Sequence, residues 1–176
     1  MRIIAGNLGG RTFASPPGHK THPMSDKVRG GLFNVLGDIA GLSVLDAFAG
    51  SGALGFEAAS RGAKEVVALD ADRAAQRTIA ENIAALGLEG RVKLIKAAAG
   101  AWFSTTSQAF DLIICDPPYD DLQVSLIERL GQRVKSGGLL ILSWPGSGEV
   151  PAFEEFEEAE RKLYGDAQLV FYRKIS

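Results

Sequence analysis

Only one cysteine occurs in the chain, Cys115, which excludes an internal disulfide and leaves a reducing, cytoplasmic setting as the default. It sits within an apolar stretch, where a thiol serves as a small filler rather than as a nucleophile. No apolar run reaches the roughly 18 residues that a membrane-spanning helix requires. A secretory leader is not expected either, because Met1-Arg-Ile-Ile-Ala5 gives way at once to glycines and polar residues. Histidine is scarce. His19 and His22 both fall in an irregular linker, so no metal centre is expected. There is no internal repeat and no low-complexity tract, and a net charge of −2 offers no bulk attraction to a polyanion.

What is present describes a soluble globular chain. Of its 176 residues, 46% are hydrophobic and 23% charged, enough apolar surface to form one substantial core and too little charge for disorder. The charge is unevenly spread. Arg2, Arg11, Lys20, Lys27 and Arg29 face only Asp26 within the first 30 residues, a formal +4 against −6 on the remainder. That asymmetry reads as a basic docking arm on an acidic body, or as a solvated tail without a partner. The expected division is residues 1–24 as an N-terminal hairpin and linker, and 25–176 as the main domain.

Arg2 to Ala14 reads as a short hairpin around Gly6-Asn-Leu-Gly-Gly10, followed by a Pro-rich linker. Ser25 can cap a helix that runs to about Leu36 with Val28, Leu32, Val35 and Leu36 on one face, and Gly37 ends it. Strands and helices then alternate. Strands are predicted over 43–47, 65–69, 92–95, 112–115 and 139–143, and helices over 53–60, 71–86, 99–104 and 122–134. Gly137-Gly138 is the expected turn before the fifth strand. Two antiparallel strands, 156–164 and 167–173, close the chain around Gly165-Asp166. Alternation of this kind implies an α/β fold, a mainly parallel doubly wound sheet with right-handed crossovers.

Two stretches carry chemistry. In Asp111-Leu-Ile-Ile-Cys-Asp-Pro-Pro-Tyr119 a strand buried on both faces stops at an acid, two prolines and a ring. Pro117 and Pro118 have no backbone donor and stiffen the loop. An acid, bare carbonyls and a flat ring can hold a planar amine; the plainer reading is a Pro-rich turn with a surface tyrosine. The other stretch is Asp46-Ala-Phe-Ala-Gly-Ser-Gly-Ala-Leu-Gly55. Gly50, Gly52 and Gly55 match the dinucleotide fingerprint, and Asp70 follows at the end of the next strand, where an acid accepts from ribose hydroxyls. Alternatively the glycines serve only helix packing. Asp46 is expected to face the crevice, where it would repel a pyrophosphate and attract the ammonium of S-adenosylmethionine. The first and fourth strands are expected to be neighbours, bringing both loops to one crevice.

Taken together with Met1-Arg-Ile-Ile-Ala-Gly6, Pro23-Met-Ser-Asp-Lys-Val-Arg29, Tyr164-Gly165 and Phe171-Tyr-Arg173, these stretches resemble the RsmD family over essentially the whole chain. The resemblance implies a Rossmann-like S-adenosylmethionine-dependent methyltransferase fold with seven strands. It implies methylation of the exocyclic N2 of a guanine in 16S rRNA, probed here against adenine-N6 methylation of DNA or RNA, which shares the Asp116-Pro-Pro-Tyr119 tetrad. The acidic body favours an assembled small ribosomal subunit over naked RNA as partner. Asp116, Pro117, Pro118 and Tyr119 are the expected catalytic set. Asp46, Phe48, Ala49, Gly50, Ser51, Gly52, Asp70, Ala71 and Ala98 are expected to hold the cofactor. Arg2, Arg11, Lys20, His22 and Arg29 are expected to meet RNA. Ala97-Ala-Ala99 stands where the family commonly has an acid or amide for the adenine, so backbone contacts are expected there. A cofactor-binding module without chemistry and a small nicotinamide oxidoreductase are the remaining rivals.

Overall fold

Short β-branched runs that are apolar at every position need cover on both faces, and the chain gives it to them. The computed structural model describes residues 1–18 and 23–175. In chain order the elements are α1 (Asp26–Leu36), β1 (Ser43–Asp46), α2 (Ala53–Ser60), β2 (Glu65–Leu69), α3 (Arg73–Ala85), β3 (Val92–Ile95), α4 (Ala99–Phe103), β4 (Phe110–Cys115), α5 (Val124–Gly131), β5 (Val134–Pro145), β6 (Phe156–Tyr164) and β7 (Ala167–Lys174). The seven strands form one sheet in the order β3-β2-β1-β4-β5-β7-β6. Pairing is parallel from β3 to β5, and β7 runs antiparallel to both of its neighbours. Winding goes outward through β2 and β3, then reverses direction at β4. The crevice of such a sheet opens at that reversal, beyond the carboxyl ends of β1 and β4.

Successive strand residues point to opposite faces, so each strand feeds two cores. Val44, Val66, Leu112, Ile114 and Ile141 pack with α1, α2 and α3, while Leu45, Val67, Ile113, Cys115 and Leu142 pack with α4 and α5. Cys115 is fully buried and reduced, and burial pushes its thiol up, as a filler role requires.

Several boundaries differ from the sequence reading. The helix expected to reach Val134 ends at Gly131, because Val134 pairs with Phe110 and already belongs to β5. Gly137-Gly138 is not a turn before β5 but an irregularity within it: the register jumps from Phe110↔Val134 to Leu112↔Leu139. Ser25 does cap α1, accepting from the Val28 N–H at 3.2 Å, and Gly37 ends it. The expected face of α1 packs on the core, with Leu32 buried and Val28, Val35 and Leu36 partly buried, and Arg29 and Phe33 are buried beside it. Gly31 leaves room for the last ring of β6, since a Cβ built there would stand 2.0 Å from the Tyr164 hydroxyl.

The N-terminal hairpin reduces to one bridge, Arg2↔Thr12, flanked by backbone bonds between Ile3 and Arg11 and between Phe13 and Met1. It is no free arm. Ile3 and Phe13 are buried in the α1–α3 core, and Phe13 meets Phe56 edge to face at 5.2 Å. Glu57 of α2 accepts from the N–H groups of Ile4 and Ala5, and Asn82 of α3 bonds both the N–H and the C=O of Ala14. The basic residues of this segment thus ride on packed structure.

Candidate active site

A cleft of about 1440 Å³ opens at the winding reversal. Its floor is the loop after β1, represented by Phe48, Ala49, Gly50 and Ser51. One side carries Asp70, Ala71 and the Ala97–Ala99 stretch, and the other carries Asp116, Pro117, Pro118 and Tyr119. The two signature stretches therefore share one pocket, as the topology required. The predicted catalytic set is assembled there, and the predicted cofactor residues line it except Asp46 and Gly52.

Those two exceptions have a packing cause. Gly52 sits at φ +83° as the N-cap of α2, and a Cβ there would meet the Phe56 ring at 2.7 Å. A Cβ on Gly55 would stand 3.2 Å from Val66 of β2. Gly55 lets α2 lie close on the sheet, Gly52 makes room for the Phe56 ring of α2 itself and for Ile79 of α3, and of the three only Gly50 lines the cleft. Gly50 donates its N–H to Asp70 Oδ2 at 2.7 Å, while the Asp72 N–H reaches Oδ1 at 2.8 Å. Each carboxylate oxygen keeps a second lone pair, so Asp70 can still accept from a diol.

Asp46 was expected on the cleft wall; it lies beneath the floor instead, fully buried, with Oδ2 accepting from Gly55 N–H at 3.1 Å. Its Oδ1 has no hydrogen-bond partner among the described residues. Burial pushes its carboxyl up to about 7, with the charges of Asp116 and Asp70 adding to the rise and the Gly55 N–H opposing it. A cationic ligand group above the loop would offset this crowding of carboxylates, and an anionic one would aggravate it. The cleft therefore fits S-adenosylmethionine, whose ammonium and sulfonium are positive. A raised native value also sets the sign of a stability effect. Asp46 contributes fully below its ordinary value of 3.8, and the contribution is lost as pH rises through about 7. Unfolding free energy should decline across that window by up to roughly 4 kcal/mol. Denaturant titrations at several pH values will check it: Asp46→Asn should flatten the decline, and an unaltered slope would exonerate Asp46.

On the acceptor side, Asp116 stands where β4 gives way to Pro117-Pro118. Burial raises its carboxyl, and the Ser143 hydroxyl pulls it back down. Tyr119 is 42% exposed, with its hydroxyl 2.9 Å from Ser143 Oγ. Ala97, Ala98, Ala99 and Gly100 line the cleft and bring no polar side chain to it, so only their backbone groups offer hydrogen bonds there.

The predicted RNA contacts fare differently. Arg29 is corrected outright: it is wholly buried, donating to Arg2 O at 2.7 Å, Met24 O at 3.2 Å and Asp26 Oδ1 at 2.9 Å, with Nε 3.6 Å from Glu57. A guanidinium so enclosed is structural. Arg11 is exposed but reaches Ala85 O at the far end of α3, away from the cleft end of that helix. Arg2 is exposed and paired with Asp26 at 3.0 Å. Lys20 and His22 lie outside the described residues. Among the described residues the cations that line the cleft are Lys27, counted in the basic arm but not among the expected RNA contacts, and Arg129, which was not anticipated. Among the described residues no group of three His, Cys, Asp or Glu could hold a metal ion, and no helix is long and apolar enough to cross a membrane.

Sequence reading also missed Ser143 and the β6–β7 turn, where Tyr164 and Asp166 reach the cleft. A signal for Ser143 existed. It is a lone hydroxyl at the carboxyl end of an apolar strand, where sites of parallel sheets collect.

The family model described as conserved hypothetical protein 95 matches residues 1–173. The chain is 29% identical over 182 residues to the candidate rRNA methyltransferase YlbH of Bacillus subtilis, covering 99% of each. It is 35% identical over 120 residues to ribosomal RNA small subunit methyltransferase D of Escherichia coli K12, covering 68% of this chain and 60% of that enzyme. Among solved structures, the candidate methyltransferase yhhF of Escherichia coli superposes with a TM-score of 0.90 at 28% identity over 99% of this chain and 98% of the other. S-adenosylmethionine is the cofactor that this fold and its relatives support. With the cleft, the sheet order and the match along residues 1–173 in agreement, the chain belongs to the conserved hypothetical protein 95 family, the RsmD methyltransferases.

Proposed function

We propose that this chain methylates the exocyclic N2 amine of a guanine in 16S rRNA, within an assembled small ribosomal subunit in the cytoplasm. The carrying observation is the cleft itself, in which a floor suited to a cationic nucleoside cofactor faces an Asp-Pro-Pro-Tyr wall suited to a planar amine. The rRNA substrate is supported by relatives that are named for it.

S-adenosylmethionine, when bound, supplies an electrophilic methyl on sulfur. The protein's part is to position and polarise the acceptor. An arylamine is a weak nucleophile because its lone pair is delocalised into the ring. Asp116 and the Pro117 carbonyl accept the two N–H bonds, which favours a pyramidal nitrogen with its lone pair directed at the methyl. Tyr119 stacks on the base, a contact worth about 1–3 kcal/mol in single-strand binders. The guanine must leave its stack or already be unstacked to enter. Lys27 and Arg129 are suited to the flanking phosphates, with Arg2 and Arg11 as outlying contacts.

Incubation with labelled cofactor and hypomethylated small ribosomal subunits, followed by nucleoside analysis, tests this. N2-methylguanosine is the expected product, in greater yield than from naked 16S rRNA. N6-methyladenosine would transfer the reading to the adenine branch, and an unlabelled subunit would remove the ribosomal substrate.

A further inference from the structure

We propose that Ser143 is a positioning residue that tethers the Tyr119 ring beside the Asp116 carboxylate, so that the acceptor wall is formed before the base arrives. The role rests on the methyl-transfer reading of the cleft. Its geometry begins in the register of the sheet. Cys115 of β4 pairs with Leu142 of β5, so the next residues of the two parallel strands, Asp116 and Ser143, stand side by side at the crevice. Ser143 is 5% exposed, follows the apolar run Leu139-Leu-Ile-Leu142, and lines the cleft. Its Oγ lies 2.9 Å from the Tyr119 hydroxyl.

The direction of the hydrogen bonds follows from what each group can do. A carboxylate only accepts, whereas the Ser143 and Tyr119 hydroxyls can each donate or accept, so the serine proton can serve Asp116 or the phenolate. The lowering effect of Ser143 on both Asp116 and Tyr119 agrees with a hydroxyl shared between them. Tyr119 needs such an anchor. It follows two prolines in a loop without regular structure, is 42% exposed, and must present one ring face to a base. Tethering the hydroxyl fixes the ring plane without covering that face. Gly50, Asp70 and the alanine stretch lie across the cleft, so loss of Ser143 should leave the cofactor side unaltered.

The test is a cycle of Ser143→Ala, Tyr119→Phe and the double variant, with Ser143→Thr as the conservative replacement. Methyl transfer to hypomethylated small subunits is the first readout. Each single change should raise KM for the subunit and lower kcat/KM about fivefold, and the double should be no worse than the weaker single, as residues of one unit behave. Ser143→Thr should restore most of the loss, and cofactor affinity should stay within twofold. Multiplicative losses, or equal losses in Ser143→Thr and Ser143→Ala, overturn the proposal. The second readout needs no substrate: ultraviolet titration of the Tyr119 phenol, isolated by difference against Tyr119→Phe, should shift upward in Ser143→Ala. If wild-type protein methylates nothing, the functional reading fails, yet this shift still supports the tether and its absence overturns it.

Discussion

Asp116→Ala is expected to reduce methyl transfer at least about hundredfold while cofactor affinity changes less than about threefold. The asymmetry follows from placement. Asp116 stands beside Ser143 on the wall proposed for the acceptor, with Gly50 and Asp70, proposed for the cofactor, on the floor and the opposite side. A preorganised group aimed at developing charge is typically worth about 10²–10³ in rate. No rearrangement of water replaces it in a closed cleft. The carboxylate must be ionised to accept an amine proton, and burial raises its titration, so activity should climb with pH through the acidic range. Asp116→Asn, which preserves the shape and one acceptor oxygen, should fall between wild type and alanine. Transfer of label and calorimetric cofactor titration together decide the matter: turnover within threefold of wild type would deprive Asp116 of this role, and a parallel loss of cofactor binding would move it to the floor.

Glu57→Ala should be the most damaging single change to the fold, at about 3–5 kcal/mol. Glu57 is fully buried and accepts from Ile4 N–H at 2.8 Å, Ala5 N–H at 3.0 Å and Arg61 Nε at 2.8 Å. Arg29 Nε, 3.6 Å away, faces no other carboxylate than Asp26 and Glu57 among its described neighbours. Truncation would leave two backbone donors unpaired and the buried cation with Asp26 as its remaining carboxylate. At about 2–4 °C per kcal/mol for a chain of this size, melting should drop by about 10 °C. Converting both partners, Glu57→Leu with Arg29→Met, should be less harmful than Glu57→Ala alone, because no buried charge is then stranded. Thermal and denaturant unfolding of the three proteins measures this. A Glu57→Ala protein within 1 kcal/mol of wild type would show the cluster to be dispensable.

Arg29 marks the boundary between what could be read from sequence and what could not. Periodicity placed it on a helix, and the helix is there from Asp26 to Leu36. A charge pattern cannot say whether a guanidinium meets solvent or a buried glutamate from 28 residues further on, since that pairing exists only after α1 folds across α2. Strand order and the meeting of the two signature loops were legible because each strand is a short apolar run and the winding rules leave few arrangements. The ends of β5 were not. Val134 and Lys135 are compatible with helix or strand, and only pairing with β4 decides between them. Asp46 was misplaced for a related reason: alternation told that it ended a strand, yet its face is set by α2 pressing Gly55 against it at 3.1 Å. Ser143 carried a signal of its own, a hydroxyl closing the run Leu139–Leu142, but its place beside Asp116 is set by the register of β4 and β5.

The insertion of β7 between β5 and β6 places Tyr164 and Asp166, which reach the cleft, at the turn of a ribbon on the margin of the sheet. The β6–β7 ribbon is joined by Gly165-Asp166, and its outer member has no strand beyond it. Tyr164 stands at its tip, facing Gly31 and reaching the cleft. Peripheral ribbons open at lower free energy than sheet centres. Whenever this one peels away, the carboxyl half of the acceptor wall goes with it, whereas the nucleoside floor on β1 and β2 persists. Hydrogen exchange should accordingly find the donor pocket intact in molecules that have transiently lost the capacity to seat a base.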